Sequence, residues 1–216
     1  MALSKNRVAE LYQKRAGFYD FSANLYYLVG IREFSYRRIA VEALNLEYGD
    51  TVVEIGCGTG LNFRLLRDRV GAQGKIIGVD LTAEMLSAAA RRIERNKWTN
   101  IELVQSDAGA YALPEYVDGI ISTFAITLVA EYDKIIERGA AALAPGKRMV
   151  VLDFKLPDNW PMWLIKFFVI LTRPFGVTLD LADRQPWEAV ERYLALKEFD
   201  SFYFGSIYVA AGEKRK

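Results

Sequence analysis

A short glycine-rich stretch is the first place in the sequence where residue types and spacing suggest chemistry. The β-branched run Thr51–Ile55 predicts a buried strand, and Gly56, Gly58 and Gly60 follow it at alternate positions before a helical pattern begins. Glycine tolerates positive φ and carries no Cβ, so a ligand can lie against the backbone of such a turn. Many nucleotide binders share this spacing, so the surrounding residues must identify the ligand.

Two acidic residues flank this glycine turn. Glu54 precedes it, and Asp80 closes the next predicted strand, where a carboxylate can accept hydrogen bonds from ribose hydroxyls. A phosphate ligand would favour hydrogen-bond donors and a basic residue, whereas two carboxylates suit a ligand that is cationic and carries no phosphate. S-adenosylmethionine meets this description, and we predict it as the cofactor.

Two further polar residues follow the third and fourth predicted strands. Asp107 comes after the third strand and Thr123 ends the fourth. Ligands of open α/β sheets bind outside the carboxyl ends of the strands, so these residues should converge with Gly56 and Asp80 on one crevice. Asp107 could instead cap a helix, and Asp80 could be an ordinary turn residue. Their common placement favours a shared ligand site.

Strands and helices alternate in the pattern of a parallel α/β sheet. We predict strands at 51–55, 75–79, 101–104, 117–122 and 148–154, with helices near 61–70, 83–95, 131–143 and 188–196, and a terminal β-hairpin formed by 199–204 and 207–211. At 216 residues, the chain suits one α/β domain with a full core better than two independent domains.

The composition excludes several kinds of chemistry. Lys and Arg number 28 against 27 Asp and Glu, a net charge of +1, so no global field favours nucleic acid. The chain has no histidine, which excludes a Ser-His-Asp triad and a His-ligated metal, and we expect no metal. Cys57 is the single cysteine and no signal-peptide pattern begins the chain, so we predict a cytoplasmic protein.

The first 45 residues are predicted to form a helical segment apart from the main domain, 46–216. Tyr12 and Tyr26 lie there among apolar and basic side chains. These aromatics could simply pack on the main domain. They could also form a lid that covers the cofactor, contacts the acceptor substrate and touches an anionic membrane surface.

The stretch from Trp160 to Leu171 is the most apolar part of the chain, yet it is too short to span a bilayer. It could be a buried core helix, one wall of an apolar substrate pocket, or a helix in a membrane interface with Trp163 at headgroup level. Arg184 follows this stretch and could bind a polar head group or form a surface ion pair. We therefore predict a substrate-side insertion near 157–186.

As a set, the motifs from the glycine turn onward resemble the class I S-adenosylmethionine-dependent methyltransferases. The resemblance covers roughly residues 48–155 and rests on four motifs: Glu54-x-Gly56-x-Gly58-x-Gly60, Gly78-Val79-Asp80-Leu81-Thr82-x-x-Met85-Leu86, Ser106-Asp107-Ala108 and Leu143-Ala144-Pro145-Gly146-Lys147. It implies a Rossmann-like seven-stranded sheet of order 3-2-1-4-5-7-6, with strand 7 antiparallel and helices on both faces.

The resemblance also implies roles for individual residues. Glu54 to Gly60, including Cys57, would hold the methionine part of the cofactor, and Asp80 would hold the ribose hydroxyls. The remaining cofactor-binding residues would be Leu81 and Met85 on the adenine face, Asp107 with the Ala108 backbone at the adenine edge, and Thr123 and Phe124 near the sulfonium.

Within that family, Tyr19-Asp20 near the start and residues 151–157 (Val-Leu-Asp-Phe-Lys-Leu-Pro) after strand five are similar to two groups, the bacterial phosphatidylethanolamine N-methyltransferases and the ubiquinone/menaquinone ring C-methyltransferases. The quinone group carries Phe-Gly-Leu-Arg-Asn after strand four, where this chain reads Phe124 to Leu128 as Phe-Ala-Ile-Thr-Leu. An amine acceptor also needs less acid–base help than a ring carbon. We therefore expect N-methylation of a phospholipid amine head group, with C-methylation of a prenylated quinol as the alternative.

Catalysis would rest mainly on positioning the reactants and excluding water, with Tyr19, Asp20 and Asp153 as candidate catalytic residues. An alternative of another class is a module that binds the cofactor or a partner without transferring a methyl group.

Overall fold

The computed structural model describes residues 32–157, 160, 161, 163, 170 and 184–215. They form a seven-stranded sheet of order β3-β2-β1-β4-β5-β7-β6. The strands are β1 Thr51–Ile55, β2 Lys75–Asp80, β3 Ile101–Gln105, β4 Val117–Thr123, β5 Leu143–Phe154, β6 Ala195–Phe202 and β7 Ile207–Glu213. Strands β1 to β5 pair in parallel, and β7 is antiparallel to β5 and β6. The predicted fold class and strand order are confirmed.

Strand β1 lies in the interior of the sheet, where it pairs with β2 on one side and β4 on the other. Val52 is fully buried and Ile55 is 3% exposed, as expected for a continuous apolar strand covered on both faces. Because β1 to β4 are parallel, their carboxyl ends meet at one edge of the sheet. That edge carries the glycine turn and the segments that follow Asp80, Gln105 and Thr123.

Helices cover both faces of the sheet. Within the described residues, the helices with defined bounds are α1 Glu33–Ala43, α2 Phe63–Val70, α3 Ala83–Asn96, α4 Tyr132–Ala142, α5 Pro186–Tyr193 and a short 3₁₀ helix, Ile126–Leu128. Apolar side chains of α1, α2 and α3 pack in one buried cluster, and those of α4 and α5 pack in the other. The carboxyl edge of the sheet therefore lies between two separately packed layers, one with α1, α2 and α3 and one with α4 and α5.

Helix α5, the terminal hairpin and strand β5 have bounds that differ from those predicted. Helix α5 covers Pro186–Tyr193 rather than 188–196, because proline suits the first turn of a helix and Leu194 is already extended. Residues from Ala195 instead pair antiparallel with β7, so the hairpin begins four residues earlier than its predicted start at 199. Strand β5 also begins earlier, at Leu143, which pairs with Val117 of β4. In both cases pairing between distant strands outweighs the local turn signals.

Of the predicted N-terminal segment, only residues 32–45 lie within the described part. Helix α1 packs on the sheet there, with Ala40 and Leu44 fully buried in the core. Of the apolar stretch 160–171, Trp163 is 70% exposed and Ile170 is 68% exposed. Among the described residues, no helix has the length and apolar character needed to cross a bilayer.

Candidate active site

A pocket opens at the carboxyl edge of the sheet, where the glycine turn leaves β1. The backbone N–H groups of Gly56 and Cys57 both donate to the carbonyl of Val79, at 2.8 and 3.0 Å, which fastens the turn to β2. The pocket has about 1010 Å³ of empty space, including its opening to solvent. Ten of the twelve predicted cofactor-binding residues line it: Gly56, Cys57, Gly58, Asp80, Leu81, Met85, Asp107, Ala108, Thr123 and Phe124.

The glycine turn leaves room for a ligand. Gly58 lines the pocket with φ of +54°, and a Cβ built on it would meet no atom of the described residues within 4 Å. A Cβ on Gly56 would instead overlap the Cβ of Ala125, so glycine at that position allows close approach of two chain segments. The backbone at Gly58 is thus open to a ligand, as a methionine-binding turn requires.

Asp80 lies beside this open turn and orders it. Its Oδ2 accepts a hydrogen bond from the Gly58 N–H at 2.8 Å, while Oδ1 accepts from the N–H and the hydroxyl of Thr82, both at 2.9 Å. A carboxylate oxygen has about two acceptor positions, so Oδ2 keeps one for a ligand hydroxyl. The residues present therefore fit an adenosyl ligand whose ribose lies at the end of β2.

Glu54 and Gly60 are the two predicted cofactor residues that lie outside the pocket lining. Glu54 is 1% exposed, and its Oε1 accepts from Nδ2 of Asn62 at 2.6 Å, while Oε2 has no partner among the described residues. Burial raises the pKa of Glu54 to about 7, against the opposing effects of the Arg37 charge and the Asn62 hydrogen bond. Gly60 packs on Phe63, whose ring lies 2.5 Å from where a Cβ would stand.

A buried polar network that was not predicted from the sequence lies beside the pocket, centred on Arg37 of α1. Arg37 is 5% exposed and lines the pocket. Its Nη1 donates to Oγ1 of Thr123 at 2.6 Å, and its Nε and Nη2 donate to Oε1 of Glu33. Asn62 joins the network by donating to Thr123 at 2.9 Å and to Glu54. The spacing of Glu33 and Arg37, one helical turn apart, was the only sequence signal for this network.

Phe124 forms an aromatic side of the pocket. It adopts φ of +54°, which is unusual for a residue with a bulky side chain. Its ring lies 5.0 Å from the ring of Phe154 and 5.3 Å from the guanidinium carbon of Arg37, and its N–H donates to the carbonyl of Leu152 at 2.7 Å. These contacts hold the strained backbone in place beside the pocket.

The candidate catalytic residue Asp153 is buried behind the pocket rather than in its lining. It is 3% exposed, and its two oxygens accept from the N–H groups of Thr127 and Phe154. Burial raises the pKa of Asp153 to about 6, although these backbone hydrogen bonds favour its charged form. Arg184, a candidate substrate residue, donates from Nη1 to the carbonyl of Thr127 at 2.6 Å.

Of the other candidate residues, the structure describes only Trp163. Trp163 is exposed, and no described contact joins it to the pocket. The candidate residues Tyr12, Tyr19, Asp20 and Tyr26 lie outside the described residues.

The sheet order, the glycine turn, Asp80 at the end of β2 and Asp107 after β3 fit a Rossmann-like site for an adenosyl ligand. A family model described as a methyltransferase domain matches residues 52–146. The chain is 31% identical over 152 residues to 2-phytyl-1,4-naphtoquinone methyltransferase of Thermosynechococcus vestitus, covering 67% of each chain. It is also 30% identical over 155 residues to the ubiquinone/menaquinone biosynthesis C-methyltransferase UbiE of Pseudomonas savastanoi, covering 71% of this chain and 60% of that relative.

Among solved structures, an S-adenosylmethionine-dependent methyltransferase from Aquifex aeolicus has a TM-score of 0.62 at 20% identity. The match covers 82% of this chain and 89% of that one and supports the fold alone. With the relatives above, these findings show that the chain belongs to the class I S-adenosylmethionine-dependent methyltransferases.

Proposed function

We propose that this protein transfers a methyl group from S-adenosylmethionine to a ring carbon of a lipophilic, prenylated quinol. The observation that carries this proposal is the difference in polarity between the two ends of the pocket. The end near β2 and β3 holds the carboxylates Asp80 and Asp107, whereas the end near β4 is apolar and aromatic, with the Arg37 guanidinium beside it. An apolar end with a cation suits an uncharged or anionic ring better than a protonated amine.

The polar end supplies the groups that would hold the cofactor. The backbone at Gly58 and the Asp80 carboxylate would contact the methionine part and the ribose, while Leu81 and Met85 would flank the adenine. Asp107, whose Oδ1 accepts from the Gly109 N–H at 2.7 Å, would lie at the adenine edge. When bound, S-adenosylmethionine supplies a methyl group on a positively charged sulfur.

The apolar end would receive the acceptor ring. Phe124, Ala125, Ile126, Leu128 and Val129 form a surface there that excludes water, which favours a displacement between closely positioned reactants. The acceptor carbon gains the methyl group, the ring loses the proton from that carbon, and S-adenosylhomocysteine is the other product. Tyr19 and Asp20 remain our candidates for accepting that proton, because Asp153 is buried behind the pocket.

The relatives support a quinol over the phospholipid amine that the sequence analysis favoured. Two relatives at 30 and 31% identity carry the names of quinone-pathway methyltransferases, and neither name refers to a phospholipid head group. Within the described lining, the carboxylates are Asp80 and Asp107, both at the cofactor end, so an ammonium group at the β4 end would have no acidic partner there.

The direct test is incubation of the purified protein with methyl-labelled S-adenosylmethionine and a total lipid extract, with a demethylated prenyl quinol in a parallel reaction. We expect label in the quinol fraction. Label in phosphatidylethanolamine derivatives instead would contradict the proposal in favour of N-methylation. Calorimetry with S-adenosylhomocysteine separates the remaining alternative, because binding without transfer to any lipid would indicate a non-catalytic cofactor-binding module.

A prenylated acceptor resides in a membrane, and we propose that the protein associates peripherally with an anionic bilayer surface. The basic and aromatic residues of the first 45 positions and the exposed Trp163 support this proposal. Co-sedimentation with anionic vesicles should be strong at low salt and weak at high salt. Equal recovery with neutral vesicles, or none with either, would contradict it.

A further inference from the structure

The peptide unit of Thr127 is held from both sides by side chains from distant parts of the chain. Thr127 lies in the 3₁₀ helix after β4 and is 4% exposed. Its N–H donates to Oδ2 of Asp153 at 3.0 Å, and its carbonyl accepts from Nη1 of Arg184 at 2.6 Å. The negative carboxylate thus meets the positive end of the peptide unit and the positive guanidinium meets its negative end, so both hydrogen bonds are charge-assisted.

This 3₁₀ helix and the residue on either side of it, 125–129 together, form one wall of the pocket, which we call the wall. Ala125, Ile126, Leu128 and Val129 line the pocket, whereas Thr127 is absent from the lining and its N–H donates to Asp153. The two anchoring side chains therefore support the wall from behind without facing the pocket themselves. Asp153 is itself fixed in place, since it lies within β5 and also accepts a hydrogen bond from the Phe154 N–H at 2.9 Å.

The order of the strands shows which ligand this wall faces. Asp107, Asp80 and the glycine turn follow β3, β2 and β1, which are successive neighbours in the sheet. A cofactor held by these three groups extends from β3 toward β1, so its reactive end points to the next strand, β4. The segment after β4 is the wall, and the molecule that receives the methyl group must lie against it.

We propose that Asp153 and Arg184 are positioning residues for the acceptor, which hold the wall at 125–129 where it receives the flat ring of a prenylated quinol. This proposal rests on the proposed function for the identity of the ring. It assigns to Asp153 and Arg184 a role in acceptor binding through the wall, instead of the direct catalytic and substrate contacts that the sequence suggested.

The two anchors differ in a way that makes the proposal testable. Asp153 uses both oxygens on backbone N–H groups, so Asp153→Asn loses one of the two hydrogen bonds, because the amide nitrogen cannot accept. Arg184 donates from Nη1 to the Thr127 carbonyl. The ammonium of Arg184→Lys is also a donor, whereas the side chain of Arg184→Met cannot donate at all. The lysine variant therefore serves as a conservative rescue.

Arg192, in the helix that follows Arg184 along the chain, offers a matched control. It lies in α5 and pairs with Asp133 at 2.6 Å, with the Arg192 side chain 57% exposed. Arg192→Met makes the same change of side chain as Arg184→Met, but at an exposed position that has no described hydrogen bond to residues 125–129. We expect it to behave as wild type in each measurement below.

Three measurements on the full chain separate a positioning role from a general loss of structure. For Asp153→Asn and Arg184→Met, we expect the affinity for S-adenosylhomocysteine by calorimetry to stay within about twofold of wild type. We expect the acceptor KM to rise about tenfold while kcat changes less than about threefold, with Arg184→Lys in between. Amide hydrogen exchange over 124–130 should be faster in both variants, without a matching change in β1.

Several outcomes would overturn the proposal. One is cofactor affinity falling in parallel with the rise in KM, and another is faster exchange at the wall with an unchanged KM. If Asp153→Asn does not fold, the two Arg184 variants decide. If the wild type methylates a lipid other than a quinol, the proposed function fails, while KM for that lipid still tests the wall. If no acceptor is methylated, a change in cofactor affinity in Arg184→Met overturns the proposal, and unchanged affinity with faster exchange at 124–130 supports it.

Discussion

Replacing Glu54 by Gln should change how the stability of this protein depends on pH. Burial raises the pKa of Glu54 from 4.5 to about 7, so the folded protein retains a proton that the unfolded chain has already lost. Because the folded state binds more protons, the free energy of unfolding falls as pH rises from about 4.5 to about 7. At about 1.4 kcal/mol per pKa unit, this carboxyl alone lowers stability by about 3 kcal/mol across that range.

Glu54→Gln removes this pH-dependent contribution to stability while keeping the hydrogen bond from Asn62. The Gln carbonyl can still accept from Nδ2 of Asn62, which lies 2.6 Å from Oε1 of Glu54. Its new amide N–H₂ takes the place of Oε2, which has no described partner, so the variant can be less stable than wild type at low pH by about 1 to 3 kcal/mol. That offset does not depend on pH, because Gln does not titrate.

The assay is urea denaturation of wild type and variant at several pH values from 4.5 to 8, read as the difference in free energy of unfolding. The difference should move in favour of the variant by about 3 kcal/mol with rising pH. Asp153, whose pKa is also raised by burial, contributes equally to the pH dependence of both proteins, so its contribution cancels in the difference. Glu42→Gln, which removes a carboxylate that is 48% exposed, is the matched control. A difference that stays constant within about 1 kcal/mol would refute the reasoning and indicate that Glu54 stays ionised beside Arg37.

Substitutions at Asp80 and Gly56 test the pocket itself, with one at Gly146 as a control. Asp80→Ala should weaken binding of S-adenosylhomocysteine by about 1.5 to 3 kcal/mol, because it removes a charged acceptor and frees the Gly58 N–H; unchanged affinity in calorimetry of a folded variant would contradict the assigned site. Gly56→Ala and Gly146→Ala both force a Cβ onto a positive φ, at about 1 to 2 kcal/mol each. The Cβ at Gly56 also overlaps Ala125, so we expect a larger drop in Tm and weaker cofactor binding there, and equal behaviour of the two variants would contradict the close approach.

The sheet was predictable because its signals are local. Each parallel strand is a short apolar run bounded by turn residues, and β1 in the structure covers the predicted residues 51–55. The polar residues at the strand ends were predictable for the same reason, since topology places the ends of parallel strands together. The strand order came from the family resemblance, because the hydrophobic pattern of a strand does not identify its neighbours.

The support behind the site was not predictable, because it depends on long-range contacts. Arg37 and Thr123 are 86 residues apart, and Asn62 and Thr123 are 61 residues apart. In the sequence, Arg37 was one of several basic residues in a segment that was expected to be a lid. Burial turns it into the centre of a polar network, and burial is a property of the packed fold rather than of the local pattern.

Three carboxylates show that a residue's type near a strand end predicts where its side chain lies better than it predicts whether the side chain contacts a ligand. Glu54, Asp80 and Asp153 all lie at or next to the carboxyl ends of their strands. Asp80 nevertheless lines the pocket, whereas the other two are at most 3% exposed and lie outside its lining. Side chains alternate between the faces of a strand, and a loop can cover one face and leave the other open. The two buried carboxylates have raised pKa values because they lack solvent, and the structure assigns their contacts to Asn62 and to backbone N–H groups. A perturbed pKa near a pocket is therefore an indication of catalysis only where the group also faces the ligand.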